Sequence, residues 1–275
     1  MSFSVVTNLA SLNAQSSLSR TNMGLQKTLA QLSSGLRINS SADDAAGLAV
    51  ANRDGLDITG LTTGIQASND AVSTLQIEDG AMSNISSLLD RAQTLATQAA
   101  SSTFTGSRAT LDNEFQSVLS EISRNAQAAG VETGSANLGS RSVFVGNTQT
   151  NTSASVSYVS FSLTTGVDST GLGISSQNIT SQANAALAIT AIQSAVATLG
   201  TVQGAVGAAM NRFQYAINEA QTMSTSVAAA QSRIMDADIA QAATNLTKYN
   251  ILTQSGMAAL AQANQSTGSV LSLLR

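Results

Sequence analysis

LAQLSSGLRINSSADDAAGLAV, residues 29–50, is the stretch that decides how this chain folds. Its first part closes an apolar stripe. Val5, Leu9, Leu12, Leu18, Leu25, Leu29, Leu32 and Leu36 recur mostly at intervals of three, four or seven, the spacing of one helix face. Ser34-Gly35 and the polar run Asn39-Ser40-Ser41 interrupt that helix. Asp43 and Asp44, behind two serines, read as a restart: a serine hydroxyl can cap free amides, and carboxylates are favoured near the positive end of the next helix dipole. Adjacent aspartates could also serve a metal or acid/base chemistry, but no third ligand lies nearby, which favours the cap.

Working outward, a second periodic stretch runs through Val72, Leu75, Met82, Ile85 and Leu89 to Leu95, and a third through Leu111, Phe115, Val118 and Ile122. Ser101 to Ser107, with Gly106, reads as the turn between them. From Val131 to about Gln177 the pattern changes: Val143-Phe-Val145, Val156 and Tyr158 to Phe161 are β-prone and predict a small hairpin. Helical spacing returns after Ser181 and continues through Ile192, Leu199, Val206, Phe213 and Ile217 to Leu246, Tyr249 and Leu260. One unbroken helix over that distance would be roughly 140 Å long at 1.5 Å per residue, so a break is expected near Ser232 to Asp238, mirroring the one at Gly35 to Asp44. The expected fold is mainly α, a long antiparallel helical rod or coiled coil built by the two halves of the chain, with a small β-hairpin region in the middle.

Composition narrows the chemistry. The 275 residues include no cysteine, histidine, proline or tryptophan. Without proline, long helix interiors go unbroken; without histidine or cysteine there is no imidazole base, thiolate nucleophile or ordinary zinc site. Charged residues are only 10% and aromatics 3%, which leaves a surface of Ser, Thr, Asn and Gln suited to packing against copies of itself. No acid precedes Asp43 and none follows Asp238, whereas those ends carry Arg20, Lys27, Arg37, Lys248 and Arg275. The middle then holds seven basic and sixteen acidic residues, a net of −9 within an overall −4. Such a balance speaks against a nucleic-acid partner. The N-terminal run reaches its first basic residue at Arg20 and lacks a compact apolar core, so it does not read as a cleavable secretory signal. No membrane span is expected either. Gly171-Leu-Gly173 is too short for a nucleotide fingerprint, and Gly200, Gly204 and Gly207 have the spacing of close helix packing. No catalytic, cofactor or metal residue is expected.

At both ends the residues carry a resemblance. Leu29 to Val50 closely resembles the N-terminal signature of bacterial flagellin, and MDADIAQAATNLTKYNIL (235–252) with AALAQANQSTGSVLSLL (258–274) resembles its C-terminal signature. The resemblance implies the structural subunit of the flagellar filament used for motility, of a minimal type with no large outer domains. The hook-filament junction protein of the same family is the alternative. It further implies that 1–42 and 235–275 form an inner coiled-coil domain. Residues 43–180, hairpin included, and 181–234 would form the surrounding rod. Inner-core polymerisation would then fall to Leu9, Leu12, Leu18, Leu25, Leu29, Leu32, Leu36, Leu246, Leu260, Val270 and Leu273. Implied partners are further copies of the chain, a flagellar export chaperone at the C-terminus, and the filament cap and hook-junction proteins. A host innate immune receptor would meet Arg91, Leu95, Gln98 and Glu114. The implied location is outside the cell, reached by flagellar type III export.

Overall fold

The computed structural model describes residues 7–150 and 153–273. In chain order the elements are α1 (Leu9–Ser34), α2 (Ala45–Ala100), α3 (Arg108–Ala128), β1 (Gly139–Thr150), β2 (Ser153–Leu163), α4 (Gln182–Met235) and α5 (Ile239–Leu273). The fold is mainly α with one antiparallel hairpin, and both helix breaks fall where Gly, Ser, Asn and Asp punctuate the sequence. Two compact units result: Met1–Leu56 with Ser226–Arg275, and Asp57–Thr225. Their limits fall inside α2 and α4, at positions other than the breaks.

In the terminal unit α1 and α5 run antiparallel. Asn8 Nδ2 donates to the Ala263 carbonyl at 2.8 Å, and Leu36 forms an antiparallel bridge with Asp236. Asn8 also caps α1, its side chain accepting from the Ser11 amide. At the other end Gly35 adopts φ 73°, a left-handed conformation that suits glycine, and its amide closes the last turn on the Gln31 carbonyl. The two breaks then bond to each other: the Arg37 amide donates to Met235 at 2.6 Å and the Ala237 amide to Gly35 at 2.9 Å. At the restart the cap differs from expectation. Asp44, not a serine, accepts from the Gly47 amide at 2.9 Å, because it directly precedes Ala45, whereas Ser40 and Ser41 lie too far before the helix. Asp43 turns back instead and accepts from the Asn39 and Ser40 amides, while Lys27 Nζ lies 2.7 Å from its other oxygen. The Lys27 ammonium, then the Asn39 amide, hold the Asp43 carboxyl down at about 2.

The middle unit has a continuous aliphatic core. Leu75, Met82, Ile85 and Leu89 of α2, Phe115 and Ile122 of α3, and Ile192, Leu199, Val206 and Phe213 of α4 all contribute buried side chains. The hairpin docks on this core. Phe144 pairs with Tyr158 and Gly146 with Ser157, so Val145 is an extra residue that forms a bulge and is buried. Its carbonyl passes α2 so closely that a Cβ on Gly64 would sit 1.9 Å from the carbonyl oxygen. Gly64→Ala should therefore displace the hairpin at a cost of about 3 kcal/mol, the upper end of overpacking penalties. A Cβ on Gly80 of the same helix meets nothing within 4 Å, so Gly80→Ala should gain about 0.5–1 kcal/mol. Urea titrations of the two variants followed by far-UV circular dichroism check the opposite signs.

Two expectations need correction. Positions 200, 204 and 207 look into open space, so among the described residues these glycines pack against no other helix. The sequence also holds a longer apolar stretch than the absence of an expected membrane span implied. No Asp, Glu, Lys or Arg lies between Asp168 and Arg212, and one window of α4 reaches a mean hydropathy of 1.6, enough by length and composition to cross a membrane. The alanines, valines and glycines that raise this average are small, and a third of the window is buried in the chain's own core.

Candidate functional site

The terminal unit is built around a narrow seam. Among the covered residues of α1 are Ala14, Leu18, Thr21, Leu25, Thr28 and Leu32, and among those of α5 are Ala242, Leu246, Tyr249, Thr253, Gly256, Leu260 and Ala263. Both series alternate steps of three and four, the heptad pattern of a coiled coil. Large residues meet small ones across it. The Tyr249 ring fills the space over Gly24, where a Cβ would lie 2.6 Å away, and Leu18 reaches Gly256. Every second seam position on α1 is an alanine or threonine, so the helices approach closely and bury little apolar area. Thr28 satisfies its hydroxyl on the Gly24 carbonyl at 2.9 Å.

What the seam leaves over is a set of exposed apolar side chains. Leu9 is 71% exposed, Leu12 64% and Ile251 58%, with Met23, Leu29, Ile239, Leu252 and Met257 also exposed. A two-helix unit that shows this many large apolar side chains has an uncovered contact surface. Next to Ile251 and Leu252, a shallow groove is lined by Thr244, Thr247 and Lys248. Hydroxyls along these helices bond back onto their own backbone, Thr21 to Ser17, Thr244 to Ala240 and Thr247 to Ala243. Their donors are thereby satisfied without water, which lowers the cost of covering the surface.

The eleven leucine and valine positions read from the sequence as the polymerisation core, and Val5 of the same stripe, divide accordingly. Leu18, Leu25, Leu32, Leu36, Leu246 and Leu260 are half-buried, the first three and the last two within the seam, whereas Leu9, Leu12 and Leu29 face outward. Val5 lies outside the described residues, and so do the side chains of Val270 and Leu273. Sequence reading missed Met23, Ile239, Ile251, Leu252 and Met257. A signal existed for one pair: neighbours in a helix point about 100° apart, so Ile251 and Leu252 cannot both serve a single partner.

On the middle unit, Arg91 and Glu114 are brought together as an exposed ion pair across α2 and α3, and Gln98 is exposed. Leu95 departs from expectation. It is 1% exposed and packs into the core with Leu89, Ala92 and Ala99, because it continues the apolar stripe of α2 and not the charged edge. Among the described residues no group of three Asp or Glu side chains could hold a metal ion.

Comparison with known proteins agrees with this architecture at both ends. Residues 5–133 match the model of the bacterial flagellin N-terminal helical region and residues 189–274 that of the C-terminal helical region. The chain is 35% identical over 272 residues to a flagellin of Halalkalibacterium halodurans, covering 98% of each chain. It is 31% identical to a flagellin of Listeria innocua, covering 95% of this chain and 96% of the relative. To flagellin FlaB2 of Treponema pallidum it is 32% identical, covering 98% of each. With both terminal regions matched and relatives aligned over nearly their whole length, the chain belongs to the bacterial flagellin family.

Proposed function

We propose that this flagellin polymerises through the outward apolar surface of its α1–α5 pair, on which neighbouring copies seat. Family membership makes the chain a structural subunit of the flagellar filament and not an enzyme, and the near-complete alignment to flagellins supports this over the hook-filament junction protein. The observation that carries the proposal is the combination of a seam too narrow to cover the terminal helices with large apolar residues exposed beside it. In this reading residues 1–42 and 235–275 form the inner layer of the filament and 43–234 the surrounding rod. The export chaperone would hold the exposed face of α5 before secretion, and the cap and hook-junction proteins would meet the same termini at the two ends of the filament. The test is a truncation to residues 37–275 added to filament seeds. Sedimentable polymer should fall below a tenth of the full-length yield, and continued elongation would remove the role assigned to α1.

A surface patch of Arg91, Gln98 and Glu114 is the corresponding reading for a host innate immune receptor, supported by the exposure of the ion pair. Leu95 drops out of the contact set. Arg91→Ala with Glu114→Ala should reduce reporter-cell activation at least tenfold, and an unchanged dose response rejects the patch.

A further inference from the structure

Two of the seven methionines stand apart from the rest. Met1 lies outside the described residues. Met82 is fully buried, while Met210, Met223 and Met235 are partly covered. Met23 is 60% exposed and Met257 53% exposed, and both belong to the α1–α5 pair. Met23 shares α1 with the exposed Leu9, Leu12 and Leu29, and Met257 follows Gly256, whose Cα faces Leu18 in the seam. Among the described methionines, the two thioethers that solvent reaches most freely are therefore on the helix pair proposed above as the assembly surface.

We propose that Met23 and Met257 are an oxidation-sensitive pair that controls whether a free subunit can enter the filament. The inference rests on the assembly surface described above. A hydroperoxide transfers one oxygen atom to the sulfur lone pair, its O–O bond breaks, the thioether is oxidised to the sulfoxide, and the peroxide is reduced to water or an alcohol. The product replaces a flexible apolar side chain with a polar one whose oxygen needs a hydrogen-bond donor. A neighbouring copy that covers the sulfoxide must supply a donor to its oxygen or leave it unpaired, and covering an unpaired polar group is costly. In the assembled filament the same sulfurs are covered by neighbouring copies, so the modification acts on subunits before assembly and not after it.

The experiment treats full-length subunit and preformed filaments with dilute hydrogen peroxide, maps oxidised peptides by mass spectrometry and measures seeded polymerisation. In the free subunit Met23 and Met257 should oxidise ahead of Met82, and polymer yield should fall at least fivefold. In filaments both should stay reduced over the same exposure. Met23→Leu with Met257→Leu should assemble equally well before and after peroxide. Undiminished assembly of the oxidised wild type overturns the proposal, as does equal loss in the double-leucine protein. Should that variant not assemble even untreated, methionine sulfoxide reductases acting on the two sulfoxide epimers of oxidised wild type decide: regained assembly supports the proposal, and its absence overturns it. Equal oxidation in filament and free subunit instead rejects the assembly surface itself, which separates the two failures.

Discussion

Replacing Arg141 with methionine will destabilise the Asp57–Thr225 unit by about 3–5 kcal/mol, the usual consequence of leaving a buried charge alone. Arg141 comes from β1 and its Nη2 donates to both oxygens of Glu78, at 2.8 and 2.9 Å, and the Glu78 side chain is fully buried in α2. The guanidinium also lies over the Phe161 ring, 4.5 Å from its centre, and Phe161 meets Phe213 of α4 edge to face at 5.7 Å. One side chain thus ties α2, both hairpin strands and α4 together. The loss on mutation does not measure the worth of the pair. Burial pushes the Glu78 carboxyl above the usual range even though Arg141 pulls it down, so the ion pair only partly offsets its own desolvation. The sign with pH follows. Because the folded state binds this proton more tightly, the stabilisation it contributes is complete below the ordinary 4.5 and is lost as pH rises through the raised folded value. Without the guanidinium the folded value rises further, so acidification from pH 7 towards pH 5 should restore more stability to Arg141→Met than to wild type. Adding Glu78→Gln should recover most of the loss at pH 7. Urea denaturation followed by circular dichroism at both pH values checks this, and a loss under 1 kcal/mol, or one indifferent to pH, would falsify it.

How far the sequence announces such features depends on whether their cause is local. The breaks at 35–44 and 236–238 are legible because Gly35 supplies a left-handed cap and Asp44 a side-chain acceptor for the next helix, each within a few residues of its partner. The hairpin is legible because Val143 to Val145 and Tyr158 to Phe161 favour strand locally. The bonding of one break to the other through Arg37 and Ala237 is not, since its partners lie about two hundred residues apart and only the antiparallel register of α1 on α5 aligns them. Periodicity also reports that a face is apolar without saying what covers it. Leu9 and Leu18 share one stripe in sequence, yet one faces outward and the other lines the seam. The seam is narrower than the stripe because Thr21 and Thr28 take alternate positions in it. Leu95 shows the converse error. A spacing of four from Arg91 places it near that charge along the helix, but the wider stripe of Leu89, Ala92, Ala96 and Ala99 decides its direction. Buried Glu78 gave no signal, because an acid beside Asp79 in a helix looks like a solvated edge until the hairpin is laid across it.

The other large effect concerns assembly. Ile251→Lys should leave the free subunit as stable as wild type, within about 0.5 kcal/mol, because the side chain is 58% exposed and surface changes of this kind cost little. Each neighbour-covered copy should fare differently. Losing the remaining burial of an isoleucine costs about 1 kcal/mol, and covering an unpaired ammonium adds several more after relaxation. Rescue by a carboxylate is not at hand: neither terminal helix carries an Asp or Glu before Asp43 or after Asp238, and Lys248, three residues earlier on the same helix, repels the new charge. A combined penalty of about 4 kcal/mol raises the critical concentration for polymerisation roughly a thousandfold, since each 1.4 kcal/mol is a factor of ten. Leu18→Lys offers the contrast. Leu18 lies in the seam against Gly256, so its replacement should loosen the α1–α5 pair before any neighbour arrives. Sedimentation of seeded samples over a concentration series, with thermal melts of the free subunits, separates the two. With no acid on either terminal helix, an added cation there is unusually hard to accommodate. A critical concentration for Ile251→Lys within tenfold of wild type would mean that Ile251 stays uncovered in the filament and that neighbouring copies seat elsewhere.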